Sequence, residues 1–373
     1  VLTRTEKKFP KDIEGLTSLR FYAVFYVILF HYHFLFSPAV DLILSKGYLA
    51  VDFFFILSGF ILAHCYLGAL ESKTFAYRHF LIKRIARIYP IHLFTLALML
   101  VIFGINAVLN GPPAENPPTI SDFIQNLFLV QSWSLAADLS YNRYSWTISA
   151  EFFAYLLFPF LMSVFMRLRR PELSLLLSFT LYGALWLVSE PLWGQPLSKM
   201  SVFGLPRILP EFMIGIGLYL FSLRYSLKWC GQVFMGGCVV ALFCGLLLEI
   251  GDWIAVPLFA FMIYATAEQS RTGQKNFLFE NSSVYLGEIS YSLYMIQYPF
   301  MFIVFDTILE RGLGLEENSK IWGYIWAAAP LIMVLLAMAM HKYIESPFRH
   351  WLVRRISPSG TEQKATGDAA KNR

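Results

Sequence analysis

The chain has 373 residues, of which 57% are apolar, 17% aromatic and only 15% charged, with a formal charge of +5. A soluble domain carries roughly 25% charged residues, so the composition excludes an ordinary water-soluble fold and points to an all-α, polytopic membrane protein. The net charge is too small to identify a partner by its sign, and no nucleic-acid partner is expected.

A membrane span needs about 20 mostly apolar residues. Ten segments qualify: 16–36, 47–67, 90–109, 146–166, 173–189, 207–222, 231–248, 253–267, 284–306 and 322–343. Before the first lie Arg4, Lys7, Lys8 and Lys11, a pattern that mimics a secretory signal. The length of the apolar run and the arginine inside it predict an uncleaved span instead. Ionisable groups at membrane depth are costly and mark function, and this span carries Arg20, His31 and His33. Arg20 and His31 are eleven residues apart, close to three turns, which puts them on one helix face about 16 Å apart. His33 faces elsewhere and reads as an interfacial residue.

The second span, "GYLAVDFFFILSGFILAH", carries Asp52 near its start, with Gly59 seven residues on along the same face. Small residues there (Gly59, Ala63) allow another helix to approach closely. If that helix is the first span, Asp52 reaches His31. A carboxylate on one imidazole nitrogen fixes the tautomer and raises the basicity of the other. A general-base dyad is therefore expected, the alternative being a buried structural pair. Ser58 and Gly59 would line a channel beside it.

"KRIARIYP" at 83–90 then reads as an amphipathic interfacial helix with Lys83, Arg84 and Arg87 on its basic side. It serves either as a clamp for an anionic ligand, since arginine suits phosphate geometry, or as a topology and anionic-lipid signal. In the fourth span Glu151 and Tyr155 share a face and predict a polar cavity. In "GLPRILPEFMIGIG", 204–217, Pro210 is expected to interrupt a helix begun at Pro206, or to begin the helix itself. Arg207 and Glu211 would then sit at its outer terminus, paired with each other or lining the cavity. Only Glu249–Asp252 separate the seventh and eighth spans, which predicts a tight hairpin. The four cysteines (Cys65, Cys230, Cys238, Cys244) show no disulfide or metal-ligand pattern and read as buried small apolar residues; no metal is expected.

With the N-terminus inside, the outer segments hold five basic and ten acidic residues, and nearly all remaining positive charge falls on the other side. Ten spans with both termini cytoplasmic satisfy the positive-inside rule. Residues 1–356 read as one transmembrane domain and 357–373 as a disordered tail. Ionisable groups at depth suit a proton-coupled transporter as well as an enzyme, although the two halves of the chain do not mirror each other's polar placements as an inverted repeat would.

Six stretches in order resemble the acyltransferase family 3 membrane proteins: Arg20 with His31, "GYLAVDFFFILSGF", "RIARIYP", "WTISAEFFAYLLFP", "ISYSLYMIQYPF" and "YIESPFRH". The resemblance covers nearly the whole chain. It implies transfer of an acyl group, often acetyl, from cytoplasmic acyl-CoA to a hydroxyl of a glycan, exopolysaccharide, lipid-linked or other acceptor. It also implies a place in a bacterial inner membrane. The family's catalytic histidine falls on His31, and its arginine pair, linked with acyl-CoA, on Arg84 and Arg87. Two positions depart from the family pattern: Phe152 follows Glu151 where a second acid is usual, and Gln297 stands where histidine is common. The expected donor site is Arg20, Lys83, Arg84, Arg87, Ser58 and Gly59. The expected acceptor site or cavity is Glu151, Tyr155, Arg207, Glu211, Tyr294 and Gln297.

Overall fold

The computed structural model describes residues 2–4, 8–31, 38–110, 117–134, 139–227, 232–247, 251–274, 276–316 and 319–356. His33, Cys230 and the predicted tail 357–373 lie outside the described residues. The helices in chain order are α1 (Glu14–His31), α2 (Pro38–Leu44), α3 (Ala50–Glu71), α4 (Tyr77–Asn110), α5 (Ile120–Leu127), α6 (Trp146–Leu168), α7 (Pro171–Trp193), α8 (Leu205–Arg224), α9 (Gln232–Leu247), α10 (Ala255–Thr272), α11 (Asn281–Met301), α12 (Lys320–Met340) and α13 (Ser346–Ile356). The strands β1 (Leu2–Arg4) and β2 (Tyr225–Leu227) form one short antiparallel pair.

Within the described residues, each of the ten predicted spans overlaps a helix. Among the described residues, seven helical segments are long and apolar enough to cross a membrane: Val40–Glu71, Tyr77–Val108, Arg143–Leu168, Pro171–Trp193, Leu205–Arg224, Asn281–Gly312 and Lys320–Arg355. The chain is thus an all-α polytopic membrane protein. The helices α1, α9 and α10 fall outside that set, α9 holding a shorter apolar stretch, Met235–Gly245.

Two local expectations are corrected. The interfacial helix at 83–90 is not separate: it forms the opening turns of α4, which runs unbroken through Pro90 for 34 residues. Likewise α8 runs continuously through Pro210. Proline forfeits one backbone bond, and in membrane helices neighbouring groups make up for such losses. The helix α8 is also the most enclosed of the seven segments, with 72% of its apolar stretch buried. The cysteines also differ from expectation: Cys238 is buried, whereas Cys65 and Cys244 are exposed.

Two helix pairs are locked backbone to backbone. A Cβ on Gly59 would fall 2.0 Å from the Phe212 carbonyl oxygen, and one on Gly215 would fall 1.9 Å from that of Ile56. Only glycine permits this α3–α8 approach. A Cβ on Gly287 would lie 2.0 Å from the Thr17 carbonyl oxygen, which locks α11 onto α1 in the same way. The helix α3 also packs on α1, α6 and α10, which makes it the hub of the core.

At the end of the bundle where α3 begins, two chain segments converge on Asp252. Its carboxylate accepts hydrogen bonds from Lys46 (2.9 Å), from the Tyr48 hydroxyl, and from Ser198 (2.8 Å). Burial alone would raise this carboxyl, but the three donors outweigh it and hold Asp252 below its ordinary value. An acid so depressed stabilises the fold above the unfolded carboxyl's value of about 3.9. That contribution is lost as pH falls through the lower folded value. Asp252→Asn is accordingly expected to lower the melting temperature near neutral pH and to match wild type once the acid is protonated. Parallel melting curves across pH check this, and a deficit that persists unchanged into acid would refute it.

Candidate active site

A cavity of about 150 Å³ lies among α1, α3, α4, α6 and α11. Each helix contributes residues three or four apart, the spacing that presents one face. These are Arg20 and Val24 on α1, Phe55, Ser58 and Leu62 on α3, Arg84 and Arg87 on α4, Thr147, Glu151 and Tyr155 on α6, and Tyr291 and Tyr294 on α11. The arginines come from the first turns of α1 and α4, and Thr147 and Glu151 from the first turns of α6.

The three arginines differ in how they are held. Arg87 forms an ion pair with Glu345, a buried carboxylate that also accepts from Ser292 (2.6 Å) and lies 3.2 Å from His341 Nδ1. Glu345 reaches inward from the π-helical segment His341–Glu345 between α12 and α13, and such wide turns recur at functional sites. Arg84 lies over the rings of Tyr66 (5.8 Å) and Tyr155 (6.0 Å), and its buried Nε has no hydrogen-bond partner among the described residues. Arg20 makes no hydrogen bond or ion pair among the described residues. On the acidic side, Glu151 Oε1 accepts from the Ser58 hydroxyl and from Tyr155 (2.6 Å). Three guanidinium groups thus face two carboxylates, Glu151 and Glu345, an excess of one positive charge. In a site of low dielectric such an imbalance favours an anionic ligand.

Of the residues expected at the donor site, Arg20, Arg84, Arg87 and Ser58 line this cavity, and Lys83 and Gly59 do not. Gly59 is consumed by the α3–α8 contact. Of those expected at the acceptor site or cavity, Glu151, Tyr155 and Tyr294 line it, and Arg207, Glu211 and Gln297 do not. Gln297 is fully buried and donates to the Tyr294 carbonyl (2.9 Å).

The expected Asp52–His31 dyad is not formed. Asp52 Oδ1 accepts from Arg207 Nε at 2.6 Å, with both side chains 2% exposed. Arg207 also donates to the Tyr48 carbonyl (3.1 Å) and lies over the Trp146 ring, while Glu211 adjoins both partners. The reason is directional: Asp52 shares a face with Gly59, and that face meets α8, not α1. The pairing of Arg207 with Glu211 also gives way, since Asp52 takes the guanidinium.

His31 stands at the other end of α1 from Arg20, on the same face, since α1 is helical across both. It does not line the cavity. Its ring stacks on that of Tyr144, centroids 4.0 Å apart at 17°. Sequence reasoning missed Tyr144, Tyr291, Thr147 and Glu345 as site residues. Tyr291 donates to the Ile88 carbonyl and lies 5.6 Å from the Arg87 guanidinium. Its place in "ISYSLYMIQYPF" and its spacing of three from Tyr294 were the signals available.

The family model described as an acyltransferase domain matches residues 13–341. Acyltransferase MdmB of Streptomyces mycarofaciens is 28% identical over 394 aligned positions, covering 96% of this chain and 97% of that protein. O-acetyltransferase OatA of Staphylococcus aureus is 23% identical over 93% of this chain, which spans 59% of OatA. A shorter match, 47% identical over 68 residues, links 18% of the chain to protein 2 in the picA locus of Rhizobium radiobacter. No solved structure matches. With the family model extending from the start of α1 into the turn after α12, the chain belongs to the acyltransferase family 3 of membrane proteins.

Proposed function

We propose that this protein transfers an acyl group, most simply acetyl, from acyl-CoA to a hydroxyl of a glycan, exopolysaccharide or lipid-linked acceptor, within a bacterial inner membrane and with both termini cytoplasmic. The observation that carries the donor assignment is the cavity lined by Arg20 and Arg84, neither of which forms an ion pair among the described residues. Phosphates of the donor would bind Arg20, Arg84 and Arg87. The pantetheine arm would then extend along α1 toward His31, about 16 Å away. The relatives' names, an acyltransferase and an O-acetyltransferase, support the reaction class.

In the transfer the acceptor oxygen attacks the thioester carbonyl carbon and the carbon–sulfur bond breaks. His31 takes the hydroxyl proton and returns it to the departing thiolate. In the covalent variant His31 nitrogen attacks first, releasing the thiol, and the acceptor hydroxyl then displaces the imidazole. Glu151, anchored by Ser58 and Tyr155, keeps the cavity polar at its middle. Asp52 has no part in the chemistry, because Arg207 holds it.

Donor binding gives the direct test. Acyl-CoA is expected to raise the melting temperature of the purified protein, as any ligand of the native state does. Hydrogen bonds to charged groups contribute about 1.5–3 kcal/mol, so Arg20→Ala and Arg84→Ala should each weaken binding roughly 10- to 100-fold. Lys83→Ala, outside the cavity, should not. Unaltered affinity in both arginine variants would sink the donor assignment and leave a proton-coupled carrier as the reading to pursue.

A further inference from the structure

We infer that Tyr144 is a positioning residue for His31, fixing the plane of its imidazole and tying it to the end wall of the cavity. The inference rests on the reading of His31 as the reacting group.

The two rings lie nearly face to face, 4.0 Å apart. The terminal torsion of a histidine is broad, and a parallel ring against it removes that freedom. An aromatic face also favours a cation above it, which suits an imidazole that gains a proton during reaction. Tyr144 is itself held from three sides. Its backbone carbonyl accepts from the Tyr294 hydroxyl at 2.9 Å, and the Thr147 hydroxyl lies 3.3 Å from the same oxygen. Thr147 Oγ1 is 2.9 Å from the Tyr294 hydroxyl. The Tyr144 ring meets Tyr298 edge-on at 5.3 Å, and its hydroxyl reaches Met301 Sδ at 3.8 Å.

Tyr294 and Thr147 both line the cavity. The imidazole and the cavity wall are therefore joined through one residue. Among the described residues Tyr144 is not part of the cavity lining, so its loss should affect turnover and spare donor binding.

The experiment compares Tyr144→Phe, which keeps the aromatic face, with Tyr144→Leu, which removes it. Small misplacements of a reacting group cost up to about 100-fold. The expected result is kcat lowered about 10- to 100-fold in Tyr144→Leu, with KM for acetyl-CoA unchanged and Tyr144→Phe close to wild type. A second readout does not depend on turnover. Carbethoxylation of His31 by diethylpyrocarbonate, followed by peptide mass spectrometry, should change rate in Tyr144→Leu and not in Tyr144→Phe. Tyr294→Phe, which loses the bonds to the Tyr144 carbonyl and to Thr147 Oγ1, should move that rate in the same direction and serves if Tyr144→Leu does not fold. Unchanged carbethoxylation in Tyr144→Leu or, failing that, Tyr294→Phe overturns the inference. So does equal loss of kcat in the Phe and Leu variants. Wild-type kcat in Tyr144→Leu beside an inactive His31→Ala overturns it alone, whereas an active His31→Ala overturns the reading beneath it.

Discussion

His31→Ala is expected to lower acyl-CoA turnover by at least 10²- to 10⁴-fold, the range that a positioned proton-transfer group contributes. Donor affinity should stay at the wild-type value, because His31 does not line the cavity that holds Arg20, Arg84 and Arg87. The melting temperature should change little, since His31 is only partly buried. The combination matters more than the loss alone: a collapsed fold would take donor binding with it. Turnover in detergent, together with donor binding on the same preparation, makes the measurement. Wild-type turnover removes His31 from the chemistry. The same protein separates the two forms of the mechanism: a covalent carrier accumulates acyl-His31 from donor alone, detectable by mass spectrometry, and a general base does not.

The second large effect concerns stability. Arg207→Ala leaves Asp52 and Glu211 as two buried carboxyl groups without their cation. Breaking a buried ion pair in this way costs about 3–5 kcal/mol. Asp52→Ala should cost a similar amount, by leaving Arg207 with a single, imperfectly placed acid. Replacing both partners with apolar residues of similar volume should recover much of the loss, because the desolvation cost disappears with the charges. Unfolding in detergent reads all three. A loss below about 1 kcal/mol in Arg207→Ala, the value of an exposed pair, would show that the pair is solvated. Asp52→Asn adds a functional arm. A structural acid lowers stability and leaves the pH dependence of turnover unmoved, whereas a dyad partner would shift it.

Much of this site was legible from spacing. The ten apolar segments marked the helices, and residues three or four apart marked which side chains would point together. Arg20, Arg84, Arg87, Ser58, Glu151 and Tyr155 were singled out on four different helices and do converge on one cavity. Asp52 marks the limit. Its shared face with Gly59 was correctly seen, and so was the close helix approach that Gly59 permits. The identity of the approaching helix was not, because periodicity says what lies on a face and nothing about what that face meets. Sequence adjacency suggested α1; the reciprocal glycine, Gly215, sits far along the chain on α8. Glu345 was missed for a related reason. It lies within the stretch "YIESPFRH", but it aims at Arg87 from a π-helical turn, so ordinary helical spacing did not show where it points.

The glycine contacts bear on how a bulky donor enters. The helices α3 and α8 have no side chains between them at Gly59 and Gly215, and α1 and α11 have none at Gly287. Each pair therefore behaves as a plate that cannot flex internally without tearing its backbone contact. The cavity lies between the plates, with Ser58 on one and Arg20 and Tyr291 on the other. Admission of a ligand is then a sliding or parting of whole plates, with α4 and α6 as the seams. The ion pair from Arg87 on α4 to Glu345 ties one seam to the C-terminal helices. An anionic ligand competing for Arg87 would loosen that tie as it binds, so occupancy and opening would be governed by the same charge.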